Sequence, residues 1–226
     1  FTIGADINNV KILTARPNGD GMSIQSTKSA KITNSFVRAW DDALVVKNYD
    51  ENSANISFKN IQVWTDLAQS MEIGYETNKG QKEKSTITNV SFEDITILHN
   101  FHKPALSIHN ADDAAVSDIK YKNIVVEDAE MGRGDGTTDL IDFSIVKNDN
   151  WSSTEGRGTI SNVTIDGFKV LDGAKTLMVK FKGYDAEHNI SDVTIKGLNI
   201  KGESITNESK CVSIDANTTS NIKIEK

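Results

Sequence analysis

Apolar and polar residues alternate with period two along most of the chain, and the alternation comes in similar blocks. "KITNSFVRAW" from Lys31, "NISFKNIQVW" from Asn55 and "TITNVSFEDITIL" from Thr86 share one pattern with "AVSDIKYKNIVV" from Ala115, "TISNVTIDGFKV" from Thr159 and "NISDVTIKGLNI" from Asn189. "INNVKIL" from Ile7 and "SNIKIE" from Ser220 are partial copies. The unit reads Ile/Val-Ser/Thr-Asn/Asp-Val/Ile-x-Ile/Phe-x-Asn/Gly-Ile-x-Val/Ile. Most copies are followed by a second, shorter run: "GMSIQ", "ALVVK", "SMEIG", "ALSIH", "LIDFSIV", "LMVKF" and "CVSID". Period two puts alternate side chains on one buried face, so each run predicts a β-strand. No stretch sustains a 3.6-residue apolar period between helix caps, and no long helix is expected.

Repeats of this kind cannot bury their apolar face singly, but stacked copies form a continuous core. The pattern therefore predicts an all-β chain folded as a right-handed parallel β-helix, a single-stranded solenoid. Copies begin about 22 to 45 residues apart, which suits coils carrying loops of unequal length. Asn and Asp recur between short strands, where they tolerate left-handed backbone and bond to nearby main chain. A β-sandwich is the rival architecture, and the repeat favours the helix. One domain over residues 1–226 is expected, with about seven to eight coils. The chain opens inside a repeat, so a fragment of a longer β-helix, truncated at its N-terminus, is expected.

Composition narrows the partners. A hydrophobic fraction of 37% supports a core, and a net charge of -7 disfavours nucleic acid and anionic membrane surfaces. No run of about 18 apolar residues is present to insert in a membrane. The single cysteine, Cys211, excludes an intrachain disulfide and a cysteine-based metal site. A secreted or cell-surface bacterial protein is expected.

The chemistry concentrates in "RPNGDGMSIQSTKSAKITNSFVRAWDDALVVKN", Arg16 to Asn48. Asp20 precedes the run "GMSIQ" and the pair Asp41–Asp42 precedes "ALVVK". The offset of about 21 residues is one coil, so stacking should bring the three aspartates together on one face. Three neighbouring carboxylates cannot all ionise at their ordinary pKa, and at least one should be pushed upward. A protonated acid beside an ionised base is what an inverting glycosidase needs.

This stretch resembles the NxDGxxI…DDxxxxK run of the polygalacturonase-type enzymes, glycoside hydrolase family 28. It is also similar to the dextranases and isopullulanases of family 49, which share the β-helix and three aspartates. The resemblance implies Asp41 as general acid, with Asp20 and Asp42 holding or activating the attacking water. No cofactor is expected. The close similarity covers about 30 residues, with weaker repeat similarity beyond. Two expected features of family 28 are missing. Gln69 stands where a Gly-His-Gly histidine should follow the pair, and "KPALSIHN" stands where an Arg-x-Lys should bind a uronate. "IQVWTDLAQSMEIGYE" looks more like the dextranase group. The expected substrate is therefore a neutral polysaccharide or oligosaccharide, dextran or a related α-glucan.

If coils align, the groove beside the aspartates is lined by Trp40, Lys47, Trp64, Gln69, Glu72 and Tyr75. His99, His102, Lys103 and His109 would follow in the next coil. Aromatic rings offer flat apolar faces to sugars, and amides and imidazoles bond hydroxyls. Both tryptophans could equally cap the apolar stack. His99-x-x-His102 has no supporting ligand, so no metal is expected. Asp112–Asp113 lacks an upstream NxDG and reads as a turn. Asp135 and Asp139 in "GRGDGTTD" lack the spacing of an EF-hand loop and read as a groove rim. Three alternatives remain open: a pectinase recognising its uronate differently, a lyase with Lys47 or Lys103 as base, and a non-catalytic adhesin-type β-helix.

Overall fold

The computed structural model describes residues 1–133 and 136–226, and no helix occurs among them. Two sheets account for the architecture. Thr27–Ala39, Ser53–Thr65, Thr86–Asn100, Ala115–Ala129, Thr159–Gly173 and Ile190–Ile200 stack in parallel in chain order. Thr2–Asn8 and Lys11–Leu13 pair with the first of these strands, and Thr219–Glu225 with the last. The second sheet holds the short strands Met22–Gln25, Leu44–Lys47, Met71–Tyr75, Leu106–Asn110, Asp139–Ile145, Met178–Lys182 and Val212–Ile214, also parallel and in order. Each coil thus contributes one long and one short strand, the layout of a parallel β-helix. The only antiparallel pairing among the described strands is the small Glu203–Ser204 hairpin against Ile190–Ile200.

Each long strand bends twice, and the repeat supplies both bends. One column of left-handed residues runs Ser29, Asn55, Asn89, Asp118, Asn162, Asp192 and Asn221, with φ between 51° and 65°. A second runs Asn9, Asn34, Asn60, Asp94 and Asn123, then continues as Gly167 and Gly197. Asn, Asp and Gly bear this conformation at little steric cost. Their side chains also bridge coils: Asn60 Nδ2 donates to Asn34 Oδ1 at 2.7 Å, and Asn89 Nδ2 to Asn55 Oδ1 at 2.7 Å.

Between the bends, apolar side chains stack coil upon coil. Ile32, Phe58, Phe92, Tyr121, Ile165 and Ile195 form one such row, fully buried. The Phe58 and Phe92 rings lie 4.8 Å apart and Phe92 and Tyr121 5.1 Å apart, each pair stacked. Leu44, Met71, Leu106, Ile141 and Val179 face them from the short strands. Burying each such side chain contributes about 1.5–3 kcal/mol. The alternate residues of the short strands point outward, and that outer face carries the cavity described next.

Candidate active site

A cavity of about 1000 Å³ lies over the outer face of the short-strand sheet. Asp20, Asp41 and Asp42 line it together. Main-chain bonds hold the two acidic segments side by side: the Gly21 amide donates to Asp42 O at 2.8 Å, and the Asp41 amide to Gly19 O at 3.2 Å. Met22 and Leu44, just beyond, are register partners. The glycine after Asp20 has a steric reason, because a Cβ at Gly21 would lie 2.5 Å from Ala43 O and 2.3 Å from Val37 Cγ1.

The trio is electrostatically unequal. Burial pushes the Asp42 carboxyl well above the ordinary carboxylate range, and the charges of Glu72 and Asp41 add to the effect. The Gln69 amide, donating to Asp42 Oδ1 at 3.0 Å, offsets only part of it. Burial also raises Asp20, opposed by Lys47, whose ammonium is 3.8 Å away, and reinforced by Asp41 and Glu76. Lys47 pairs with Glu76 at 3.1 Å. Burial by itself would lower the lysine's proton affinity, but Glu76, Asp20 and Asp42 raise it above its usual value.

The cavity floor is a chain of ion pairs. Glu72 is fully buried at the register position of Ser107, whose hydroxyl donates to it. His109 Nδ1 lies 3.0 Å from both Glu72 carboxylate oxygens, and its Nε2 3.4 Å from Asp142 Oδ2. Burial by itself would strip the imidazole of its proton; Glu72 and Asp142 override this and push its pKa up to about 10. Asp142 is held down at about 2, because the His109 and Lys180 charges and hydrogen bonds outweigh the effect of burial. Lys180 Nζ donates to Asp142 at 3.1 Å and reaches Asp139 at 3.5 Å. The Tyr75 ring stacks on the imidazolium at 4.4 Å.

Of the side chains expected in the groove, Lys47, Gln69, Tyr75, Lys103 and His109 line the cavity, and Glu72 lies beneath it. Trp40, Trp64, His99 and His102 do not border it. The Trp64 ring lies tilted against His99 at 4.8 Å and its Nε1 donates to Asp66, at the end of the long-strand sheet. His99 bonds Asp128 at 2.8 Å and, with Glu130, forms a cluster of possible metal-ligand atoms, none of which borders the cavity and of which His102 is no part. Asp139 stands in the wall beside Lys180, while Asp135 lies outside the described residues.

Sequence reasoning missed Tyr49, Glu76, Asp142, Trp151 and Lys180, which also line the cavity. A signal for two of them was present. Asp142 and Lys180 occupy the register position of Glu72 and Ser107 in later short strands. Glu76, Tyr49 and Trp151 follow strand ends, where loop paths decide the direction of a side chain.

Comparison with curated proteins gives no match, and neither does comparison with solved structures. The family model described as Glycosyl hydrolases family 28 matches residues 3–222, a span that contains every residue of the cavity wall. The chain belongs to glycosyl hydrolase family 28 and is a glycoside hydrolase that acts on polysaccharide.

Proposed function

We propose that this enzyme cleaves a neutral polysaccharide by single displacement with inversion, with dextran and related α-glucans as the first candidates. Asp41 gives its proton to the glycosidic oxygen. Asp20 and Asp42 hold a water on the opposite side of the ring, and one of them takes its proton as the water attacks the anomeric carbon. Asp20 suits the base, since Lys47 beside it favours its ionised form against the effect of burial, whereas burial holds the proton on Asp42. A secreted or surface-bound enzyme, where polymeric substrates are met, belongs to the same proposal.

One observation carries the neutral-substrate reading: three cations of the wall, Lys47, Lys180 and His109, are committed to carboxylates. Lys47 lies against Asp20 and Glu76, Lys180 against Asp139 and Asp142, and His109 between Glu72 and Asp142. In the coil where a uronate-binding pair was expected, the outward side chains Ser107 and His109 both bond Glu72. A uronate would meet a predominantly acidic wall, and at any of these three cations it would have to displace an ion pair.

A second reading, a polygalacturonase-like pectinase, draws support from the family itself. Assaying dextran, pullulan and polygalacturonate side by side separates them. The neutral reading expects reducing ends from a glucan, and release from polygalacturonate alone overturns it. Proton NMR of the first product anomer tests inversion on whichever substrate is cut.

A further inference from the structure

Trp151 stands on the loop 146–158, between the strands Asp139–Ile145 and Thr159–Gly173. Its residue is 45% exposed and borders the cavity. Burying an indole contributes a few kcal/mol, and this loop forgoes nearly half of that gain. A single exposed aromatic is ordinary on protein surfaces and by itself means little. What distinguishes Trp151 is the rigidity of its support.

Arg157 is 5% exposed, and its guanidinium is spent on the loop. It donates to Val146 O at 2.8 Å and Ser152 Oγ at 3.1 Å, and also to the carbonyls of Ala111 and Thr154. Asp112, fully buried in the neighbouring coil, accepts the Ser153 amide at 2.6 Å and the Thr154 amide at 2.9 Å. Asn148 closes the turn: its main-chain oxygen accepts from the Ser152 amide at 2.9 Å, and its side chain from the Trp151 amide at 3.2 Å. A buried cation and a buried anion thus hold in place a loop whose tip leaves an indole in solvent beside the substrate cavity.

We propose that Trp151 is a sugar-stacking plate, a distal subsite that binds a pyranose ring of the polysaccharide chain through its apolar C–H face. Rigid aromatic plates suit this task, since little conformational freedom is lost on binding. The strand preceding the loop is three places along the sheet from Leu44–Lys47, an axial offset of about 14 Å at ~4.8 Å per strand. Trp151 therefore meets a ring some units away from the scissile bond and rewards long chains over short ones. The inference rests on the cavity being the substrate cleft and does not depend on whether the sugar is neutral or acidic.

The test measures binding in the Asp41→Asn background, where turnover does not consume the ligand. Isomalto-oligosaccharides and oligogalacturonides of increasing length are titrated calorimetrically against this parent and against versions that also carry Trp151→Ala or Trp151→Phe. The expected result is an affinity that rises with chain length in the parent. Trp151→Ala lowers affinity for the long members about tenfold, a loss of roughly 1.4 kcal/mol, and flattens the rise. Trp151→Phe restores most of it. An Ala version that binds as tightly as the parent at every length, with an unchanged circular dichroism spectrum, overturns the subsite, as does a parent that shows no length dependence in either series. Which series binds decides the neutral-substrate reading separately.

Discussion

The chain carries the dipeptide Asp-Asp twice at loops that enter or leave short strands, and the two copies do opposite things. Asp41–Asp42 lies at the cavity with one side-chain oxygen of Asp42 accepting a single tertiary amide, that of Gln69. Asp112–Asp113 lies outside the cavity wall. Asp112 accepts four main-chain amides, from Thr77 and Asn78 on one oxygen and from Ser153 and Thr154 on the other. The Thr154 hydroxyl donates to it as well. Amide donors replace lost water and make a buried carboxylate a structural clasp. A carboxylate of similar burial with few donors and other acids nearby is left with a raised proton affinity, which is what acid–base chemistry uses.

The largest effect should come from removing the acid. Asp41→Asn is expected to lower kcat about 10³-fold while polysaccharide binding persists. Ordinary turnover in that variant would remove Asp41 from the mechanism. The contrasting change is Asp112→Ala, which strands buried amides in two loops and should cost about 3 kcal/mol of stability. Calorimetry would register this as a melting point lower by roughly 8 °C. Hydrogen exchange should show faster loss of protection at Ser153 and Thr154; unchanged protection there would contradict the clasp.

Asp42→Asn sharpens the comparison from the other side. Asparagine keeps an oxygen for the Gln69 amide but cannot ionise. Because the folded-state pKa of Asp42 is raised, its ionisation opposes folding increasingly as pH climbs above the unfolded value of 3.8. The variant should therefore be inactive yet melt higher than the parent at pH 8, with a smaller gain at pH 4. A destabilised Asp42→Asn protein would place Asp42 in the same structural class as Asp112.

The ion chain beneath the site is read through its pH dependence. His109 keeps its proton to about 10 when folded, against 6.5 as the ordinary value. Its pairing therefore stabilises fully below 6.5 and is lost as pH rises through about 10. Asp142, held at about 2 against 3.8, stabilises fully above 3.8 and loses that contribution as pH falls through about 2. Thermal melts of His109→Gln across the alkaline range should lack the high-pH decline of the parent. Parallel curves for the two proteins would show that the imidazolium is not the group responsible.

Sequence alone determined the architecture, because period-two alternation and the Asn/Asp columns are local signals that each coil repeats. Once Asn55 and Asn60 mark the two bends of one coil, Asn89 and Asp94 mark those of the next, and register follows. The proximity of Asp20 to Asp41–Asp42 was legible for the same reason, since a one-coil offset becomes one strand spacing. Tertiary structure alone decided which outward residues face the cavity and how they are charged. Trp40 and Trp64 read as groove residues but stand outside the wall, and Trp151, on an unrepeated loop, stands inside it. Alternation gives the face on which a side chain lies, whereas a loop's path is set by distant donors such as Arg157 and Asp112. The electrostatic ranking of Asp20 and Asp42 was likewise invisible, because it depends on burial and on Glu72, Glu76 and Lys47 brought in from other coils.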